Sequence, residues 1–414
     1  MDETTNIPQA HALFNALKPS TRILLVGDAD QLPSVGPGNV FKNIIESNAV
    51  PVVTLKTIFR QAQASSIVKD AHLINKSIAP SNMRNVTVNK DGSSLELVGE
   101  SLVSESDHTK GDVLYFSEND AERAIDVIEG PLINFIREQG YNIQSDVQFL
   151  APMMRGHCGT NNICRRVQGV IHGTNGKAAQ KKRSKYSADA TDALLVGDRV
   201  MQDANDYSLG VWNGEIGIVI EKKKVTSGKD KGKFSYKVEF PDSKTDIKVI
   251  KYSGAAVKRL KLAYACTIHK SQGSEFPVVV IPVFNEHYHM LSKNLLYTAL
   301  TRAESLAILI GSKRMLNITV KKVDVAKRET GLKEQIQSAI EYYENGNTGR
   351  LQRGPSADGD LWAMLELESS VVLPTYPRET KGSDQESHEA SSDATDKADD
   401  LWSQLGLEET VKHI

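Results

Sequence analysis

The sequence predicts an α/β protein whose mostly parallel sheet carries a small inserted antiparallel β-barrel and is followed by a disordered acidic tail. Short apolar runs rich in β-branched residues alternate with segments of helical periodicity, which is typical of a parallel sheet. Between residues 174 and 253 the pattern changes to short alternating strands with turn residues and many lysines. After Gly346 the chain is rich in Ser, Asp, Glu and Gly and poor in apolar residues, which predicts disorder.

Composition favours a cytoplasmic protein without a membrane segment. The 414 residues are 40% hydrophobic and 25% charged, as in globular proteins. No apolar run approaches the roughly 18 residues that cross a bilayer, and the first residues resemble no signal peptide. The three cysteines favour a reducing compartment, and the six-residue spacing of Cys158 and Cys164 disfavours a zinc site.

Charge is distributed unevenly along the chain. Residues 355–414 contain 14 acidic and 4 basic side chains, a net charge of −10. Because the whole chain carries −2, the first 354 residues carry +8. A basic body is compatible with a nucleic-acid partner, although charge alone supports this weakly.

The elements are predicted in chain order from periodicity and turn residues. Residues 81–111 are polar and mixed, which indicates a hairpin or a loop. Helices are expected at 10–17, 65–76, 120–139 and 329–344, and buried strands at 22–26, 51–55, 146–151, 278–282 and 306–311. Strands of the insert are expected at 198–202, 215–221, 234–240 and 247–252.

The stretch RILLVGDADQLPSVGPG at Arg22–Gly38 places Asp28, Asp30 and Gln31 on a loop after a predicted strand. Open α/β sheets bind ligands at such strand ends. The stretch resembles motif III of RecD-like superfamily 1 DNA helicases. The resemblance implies RecA-like motor lobes, a nucleotide contact by Asp28, and a γ-phosphate sensor at Gln31.

Further motifs follow in the order of that family. Asp2 and Glu3 lie where the family has its Walker B box, which implies that Asp2 holds Mg²⁺ and Glu3 orients the attacking water. FRQ resembles motif IV and LLYTALTRA resembles motif VI, which implies that Arg60 and Arg302 contact ATP phosphates. Taken alone, the acidic pair is more typical of a solvated helix cap.

TIHKSQG resembles motif V, which implies backbone contacts to DNA from Thr267, His269, Lys270, Ser271 and Gln272. The last residue of this motif, Gly273, permits close approach of the backbone, and Glu275 matches the glutamate that family members use near the ribose, which implies that both border the nucleotide. In a segment similar to PMxxGxxGTxxLN, Thr160 and Asn161 are expected to cap a helix whose start can receive a DNA phosphate. A plain helix cap is an equal alternative for these two residues.

The P-loop GxxGxGKT of the family does not occur in the 414 residues. The predicted domains are therefore a remnant of the first lobe (1–50), a second lobe (51–173 and 254–345), an inserted β-barrel (174–253) and the tail (346–414). The predicted function is the carboxy-terminal part of an ATP-dependent 5′–3′ DNA helicase of repair or recombination, with ATP and Mg²⁺ bound only beside a P-loop-bearing lobe. A binding module for single-stranded DNA or for a P-loop-bearing chain in trans, and a truncated non-functional product, are the alternatives.

The tail contains a duplicated motif. Asp360-Leu361-Trp362 recurs as Asp400-Leu401-Trp402, at an offset of 40 residues. Each copy predicts a short amphipathic helix that folds only against a groove. The two tryptophans are expected to bind a protein partner, or else the body of this chain.

Overall fold

The computed structural model describes residues 4–18, 21–55, 65–81, 83–98, 112–173, 194–241, 247–322 and 331–345. Asp2, Glu3 and Arg60 lie outside these residues, as do Trp362 and Trp402 of the tail. Their predicted roles therefore stay predictions.

The main sheet has seven strands and is parallel except at one edge. Its order is β10-β4-β11-β12-β3-β1-β2, and β2 alone pairs antiparallel, as the second strand of a hairpin with β1. The strands are β1 Arg84–Val88, β2 Leu95–Leu97, β3 Asp112–Ser117, β4 Val147–Ala151, β10 Ala265–Thr267, β11 Phe276–Val283 and β12 Ala303–Gly311. This arrangement confirms the predicted α/β class and the hairpin within 81–111.

Helices cover both faces of this sheet, so the central strands are buried almost throughout. One face packs against α4, α5 and α6, and the other against α3, α7 and α8. The helices are α1 Ile7–Ala16, α2 Val40–Ser47, α3 Ser66–Asn75, α4 Ala121–Val127, α5 Ile133–Glu138, α6 Thr160–Ile171, α7 Lys293–Leu300, α8 Lys313–Lys321 and α9 Leu332–Glu344. A five-residue π-helical turn that contains Pro131 joins α4 to α5, because proline cannot donate the regular helical hydrogen bond.

Two predicted strands do not form. Residues 22–26 and 51–55 have no regular secondary structure, and their apolar side chains are exposed, with Leu24 at 64% and Leu55 at 87%. A strand needs a neighbour for its backbone N–H and C=O groups. Among the described residues, none pairs with either segment, so the prediction of buried strands there is wrong.

The insert is a five-stranded antiparallel sheet of order β8-β7-β6-β5-β9. Its strands are β5 Arg199–Gln202, β6 Ile216–Lys224, β7 Phe234–Pro241, β8 Ile247–Tyr252 and β9 Leu260–Leu262. Four were predicted, whereas β9 was missed because three residues are too short for a periodic signal. Within the described chain β8 and β9 are unpaired edges, so the sheet is open rather than the predicted closed barrel.

A buried carboxylate joins the insert to helix α6 and to the residue that precedes β10. Asp198, directly before β5, is fully buried and accepts hydrogen bonds through both oxygens. Oδ2 accepts from Gln168 Nε2 at 2.5 Å and from the Leu195 amide at 2.7 Å. Oδ1 lies 2.7 Å from His172 Nε2 and 3.0 Å from the Tyr264 hydroxyl, and burial together with this charge raises the pKa of Tyr264.

Asp198→Asn is expected to lower the free energy of unfolding by about 3 kcal/mol. The substitution replaces one accepting carboxylate oxygen with an NH₂ group, which cannot accept the hydrogen bonds of the surrounding buried donors. Urea denaturation followed by circular dichroism measures the change. Asp203→Asn, at an exposed carboxylate five residues away, is the matched control and should change stability by less than about 1 kcal/mol. Equal stability of the two variants would show that Asp198 does not hold the insert.

Candidate functional site

The segment 28–32 from motif III lies against the domain of the seven-stranded sheet and is fixed there by Leu32. The Leu32 side chain is 3% exposed and packs in the core beneath α7. Its backbone is bound on both sides: the amide donates to Thr298 Oγ1 at 2.9 Å, and the carbonyl accepts from Gln272 Nε2 at 2.9 Å. A helix of motif VI and the loop of motif V therefore hold one residue of motif III between them.

The two aspartates of this segment are bound by polar side chains of the second lobe. Asp28 Oδ2 accepts from the Tyr297 hydroxyl at 3.0 Å and from Gln31 Nε2 at 3.3 Å. The Asp30 carbonyl accepts from Asn294 Nδ2 at 2.8 Å, and its carboxylate accepts from Asn75 Nδ2 at 2.5 Å. Burial and the charge of Asp28 raise the pKa of Tyr297, so its hydroxyl keeps the proton that it donates.

Arg302 lies beside Gln31, directly before β12, and is only 7% exposed. Nε donates to the Thr298 carbonyl at 3.2 Å, and Nη1 donates to the Ser274 carbonyl at 3.1 Å. Nη2 makes only long contacts, 3.5 Å to Gln31 Oε1 and 3.4 Å to Thr301 Oγ1. Among the described residues no carboxylate forms an ion pair with this guanidinium, so its charge can be neutralised by an anion.

The predicted DNA-binding residues of motif V divide into two groups. Ser271 is buried and its hydroxyl donates to the Ile268 carbonyl at 2.8 Å, while Gln272 binds Leu32, so these two side chains position the loop. Thr267 and His269 are half-buried and Lys270 is exposed, so these three can reach a ligand. The Lys270 ammonium pairs with the Asp203 carboxylate of the insert.

Gly273 and Glu275 form the open side of the same loop. Gly273 has a φ of +78°, in the left-handed region where a side chain would be strained, and a Cβ there would meet no atom within 4 Å. Glu275 is exposed, and Ser274, between them, contacts Arg302. The structure thus brings Gly273, Glu275, Gln31 and Arg302 to one side of the lobe.

The turn before α6 differs from its prediction. Gly159 is the N-cap, and Thr160 and Asn161 are the first two helical residues, so the capping prediction is wrong by one residue. Their amides donate to the Met153 and Met154 carbonyls at 3.1 and 3.2 Å. Because these amides are already paired, the exposed Asn161 side chain is the group here that can reach a phosphate.

A carboxylate of this chain occupies the preceding amides of that turn. Glu286 Oε2 accepts from the His157 amide at 3.0 Å, and Oε1 accepts from the Cys158 amide at 2.8 Å. The Cys158 thiol is buried, and desolvation raises its pKa to about 12, so it is an unreactive packing group.

Metal-ligand clusters of three or more His, Cys, Asp or Glu do not occur in the part of the chain that the structure describes. No helix in those described residues is long and apolar enough to cross a membrane.

Sequence reasoning missed the three α7 side chains that hold motif III. Asn294, Tyr297 and Thr298 lie on a helix at spacings of three and one, and each binds residues 28–32. The available signal was the polar residues within the otherwise apolar run NLLYTAL, which is unusual for a helix buried against a sheet.

Thr298→Val is expected to free residues 28–32 locally, because the buried Leu32 amide loses its hydrogen bond to the Thr298 hydroxyl at a cost of about 1–3 kcal/mol. Hydrogen exchange of the peptide 28–35, measured by mass spectrometry, should then accelerate by roughly tenfold, since 1.4 kcal/mol corresponds to a factor of ten. Thr319→Val, at a buried threonine of α8 whose hydroxyl bonds within its own helix, is the matched control. Unchanged exchange at 28–35 would show that Thr298 does not hold the segment.

Two family models match the chain. The UvrD-like helicase C-terminal domain matches residues 262–310, which include motif V and motif VI. The AAA domain matches residues 2–92, which include motif III. The two matches therefore cover the residues that meet at Leu32.

The curated relatives agree with these matches. The chain is 28% identical over 333 residues to the ATP-dependent RecD2 DNA helicase of Deinococcus radiodurans, covering 79% of this chain and 38% of that protein. It is 26% identical to the RecBCD enzyme subunit RecD of Mycolicibacterium smegmatis, covering 82% of this chain and 54% of that protein. The Pif1 helicase of Candida albicans aligns with a TM-score of 0.42 and 18% identity, over 84% of this chain and 76% of that one.

The chain spans about half or less of the length of these two curated relatives. Within that span the motifs occur in the same order as in the RecD-like family, and motifs III, V and VI meet around Leu32 and Arg302. The chain is thus homologous, over about 80% of its own length, to RecD-type DNA helicases.

Proposed function

We propose that this chain forms the second motor lobe and the motif III segment of a RecD-type DNA helicase, and that it grips single-stranded DNA through the motif V loop. One observation carries the proposal. The loop that carries the half-buried Thr267 and His269 and the exposed Lys270 also binds the Leu32 carbonyl through Gln272. Contacts from this loop to DNA would therefore lie within a few residues of its contact with the motif III segment.

ATP would bind against Gln31 and Arg302. The two side chains are in contact at 3.5 Å, and the loosely bonded Nη2 of Arg302 is the donor that can turn to a phosphate oxygen. In phosphoryl transfer such an arginine stabilises charge that develops on the transferred group. Asp2 would hold Mg²⁺, Glu3 would orient water and Arg60 would add a second cation, by resemblance to the family motifs. Asp28, Gly273 and Glu275 would border the nucleotide.

The P-loop would come from a first lobe that covers residues 22–26 and 51–55. These segments expose apolar side chains, among them Leu24, Val26, Val53 and Leu55, and pair with no strand within the described chain. Two apolar segments with free backbone groups fit the edge of a further parallel sheet. We place this lobe either in a longer form of the protein or in a second chain, and with it the whole protein would move 5′ to 3′ on single-stranded DNA.

The 414-residue chain is expected to bind a dT20 oligonucleotide at low salt, with affinity that falls steeply as salt rises. Lys270→Gln should weaken binding and make the slope of log affinity against log salt shallower by about 0.7, the contribution of one neutralised phosphate. Asp203→Asn should tighten dT20 binding, because it releases Lys270 from its ion pair. Fluorescence anisotropy of labelled dT20 at several salt concentrations measures all three proteins.

Lys90→Gln, at an exposed lysine after β1, is the matched control for general charge. If Lys270→Gln, Thr267→Ala and His269→Ala all bind dT20 as tightly as the unmodified chain, motif V is not the DNA site. The same preparations test turnover, and without a P-loop we expect binding but no ATP hydrolysis. DNA-stimulated hydrolysis that disappears in Arg302→Ala would contradict that expectation.

A further inference from the structure

Two exposed aromatic rings stand together on the insert. Tyr207 is 80% exposed and Trp212 is 46% exposed. Their ring centroids are 5.5 Å apart and their planes meet at 71°, an edge-to-face pair that leaves a face of each ring open to solvent. Neither ring belongs to a hydrophobic core cluster, so packing does not account for them.

The loop that carries this pair is rigidly built. Asp206 Oδ1 accepts from the Ser208 amide at 3.1 Å, the Ser208 hydroxyl at 2.5 Å and the Leu209 amide at 3.2 Å. The Asp206 and Val211 backbones exchange two hydrogen bonds, at 2.8 and 3.1 Å. Val211 is fully buried in the core of the insert, which fixes the direction of the neighbouring Trp212. The backbone on either side of the two rings is therefore fixed by its own hydrogen bonds and by the burial of Val211.

The loop 203–212, which carries the two rings, contacts the motif V loop. Asp203, at its start, pairs with Lys270 of the motif V loop, and the Asp203 amide donates to the Arg259 carbonyl at 2.8 Å. Arg259 in turn pairs with Asp206 at 2.7 Å. The two loop carboxylates are thus neutralised, and the exposed Lys258 and Lys261 on either side of Arg259 leave a surplus of positive charge.

We propose that Tyr207 and Trp212 form a stacking platform for bases of single-stranded nucleic acid on the strand that leaves motif V. This inference rests on the proposed function and extends its DNA path onto the insert. Aromatic faces next to cations that track a backbone are the combination that binds single strands without sequence preference. Duplex ends offer one stacked pair, whereas an unpaired strand offers free base faces to both rings.

With this platform the insert would bind the bases, which the motif V loop does not contact. Motif V offers hydroxyl, imidazole and ammonium groups that suit the sugar-phosphate backbone. The platform instead recognises the bases, and every base has a π-face, so the contact is independent of sequence. A backbone grip on the lobe and a base grip on the insert would hold the strand at two points.

Trp212 can report on this contact directly, because the chain has three tryptophans and the other two, Trp362 and Trp402, are in the tail. In the full chain with Trp362→Phe and Trp402→Phe, adding dT20 at low salt is expected to quench Trp212 emission. An abasic oligonucleotide of equal length, which keeps the phosphates and lacks the bases, should bind more weakly and leave the emission unchanged.

Tyr207→Ala is expected to weaken dT20 binding by roughly 5- to 150-fold, the range measured for loss of one stacked base, and to leave abasic binding unchanged. Ile247→Ala, at a 67% exposed apolar residue of β8, is the matched control. If dT20 binds without quenching Trp212 emission and binds equally tightly to Tyr207→Ala, the platform proposal is overturned and the motif V proposal stands. The exposed aromatic pair would then be assigned to a protein partner. If the full chain does not bind dT20, both proposals fail.

Discussion

Leu32 attaches motif III to the domain of the seven-stranded sheet, and the geometry of the candidate site depends on this attachment. Its side chain packs in the core under α7, and both of its backbone groups are bound by side chains of that domain. Burial of a leucine contributes about 2 kcal/mol, and two satisfied buried backbone groups avoid a penalty of similar size. Neighbouring Gln31 is therefore kept beside Arg302, and Asp28 beside Tyr297.

This attachment places the expected nucleotide contacts and the expected DNA contacts on the same few residues of backbone. Gln272 binds Leu32, and Ser274, two residues later, binds Arg302 through its carbonyl. Thr267, His269 and Lys270 precede them in the same loop. A displacement of the loop by DNA would be transmitted through hydrogen bonds of about 3 Å to Gln31 and Arg302, without any intervening element. By this short connection, the proposed nucleotide site and the proposed DNA site would be coupled.

The sequence predicts those parts of the fold that this chain completes by itself. β4 and β11 were predictable because buried parallel strands appear as continuous apolar runs, and their neighbours are present in the structure. Residues 22–26 show the same apolar pattern but are exposed. An apolar pattern indicates that a segment can be buried, but it does not identify the neighbouring segment that would bury it. Arg302 and Gln31 were identified from motif resemblance, whereas Asn294, Tyr297 and Thr298 were missed. These three side chains contact residues that are more than 260 positions away in the sequence. A local sequence pattern carries no information about such distant contacts.

Hydrogen exchange of residues 28–35 in the presence and absence of dT20 tests the central claim most directly. If the motif V loop connects DNA to motif III, saturating dT20 should slow exchange in this peptide, although none of its residues is expected to touch DNA. Gln272→Ala should abolish that protection while leaving dT20 bound, because it removes the bond to the Leu32 carbonyl. Exchange at 28–35 that is unchanged by bound dT20, or protection that persists in Gln272→Ala, would contradict the account.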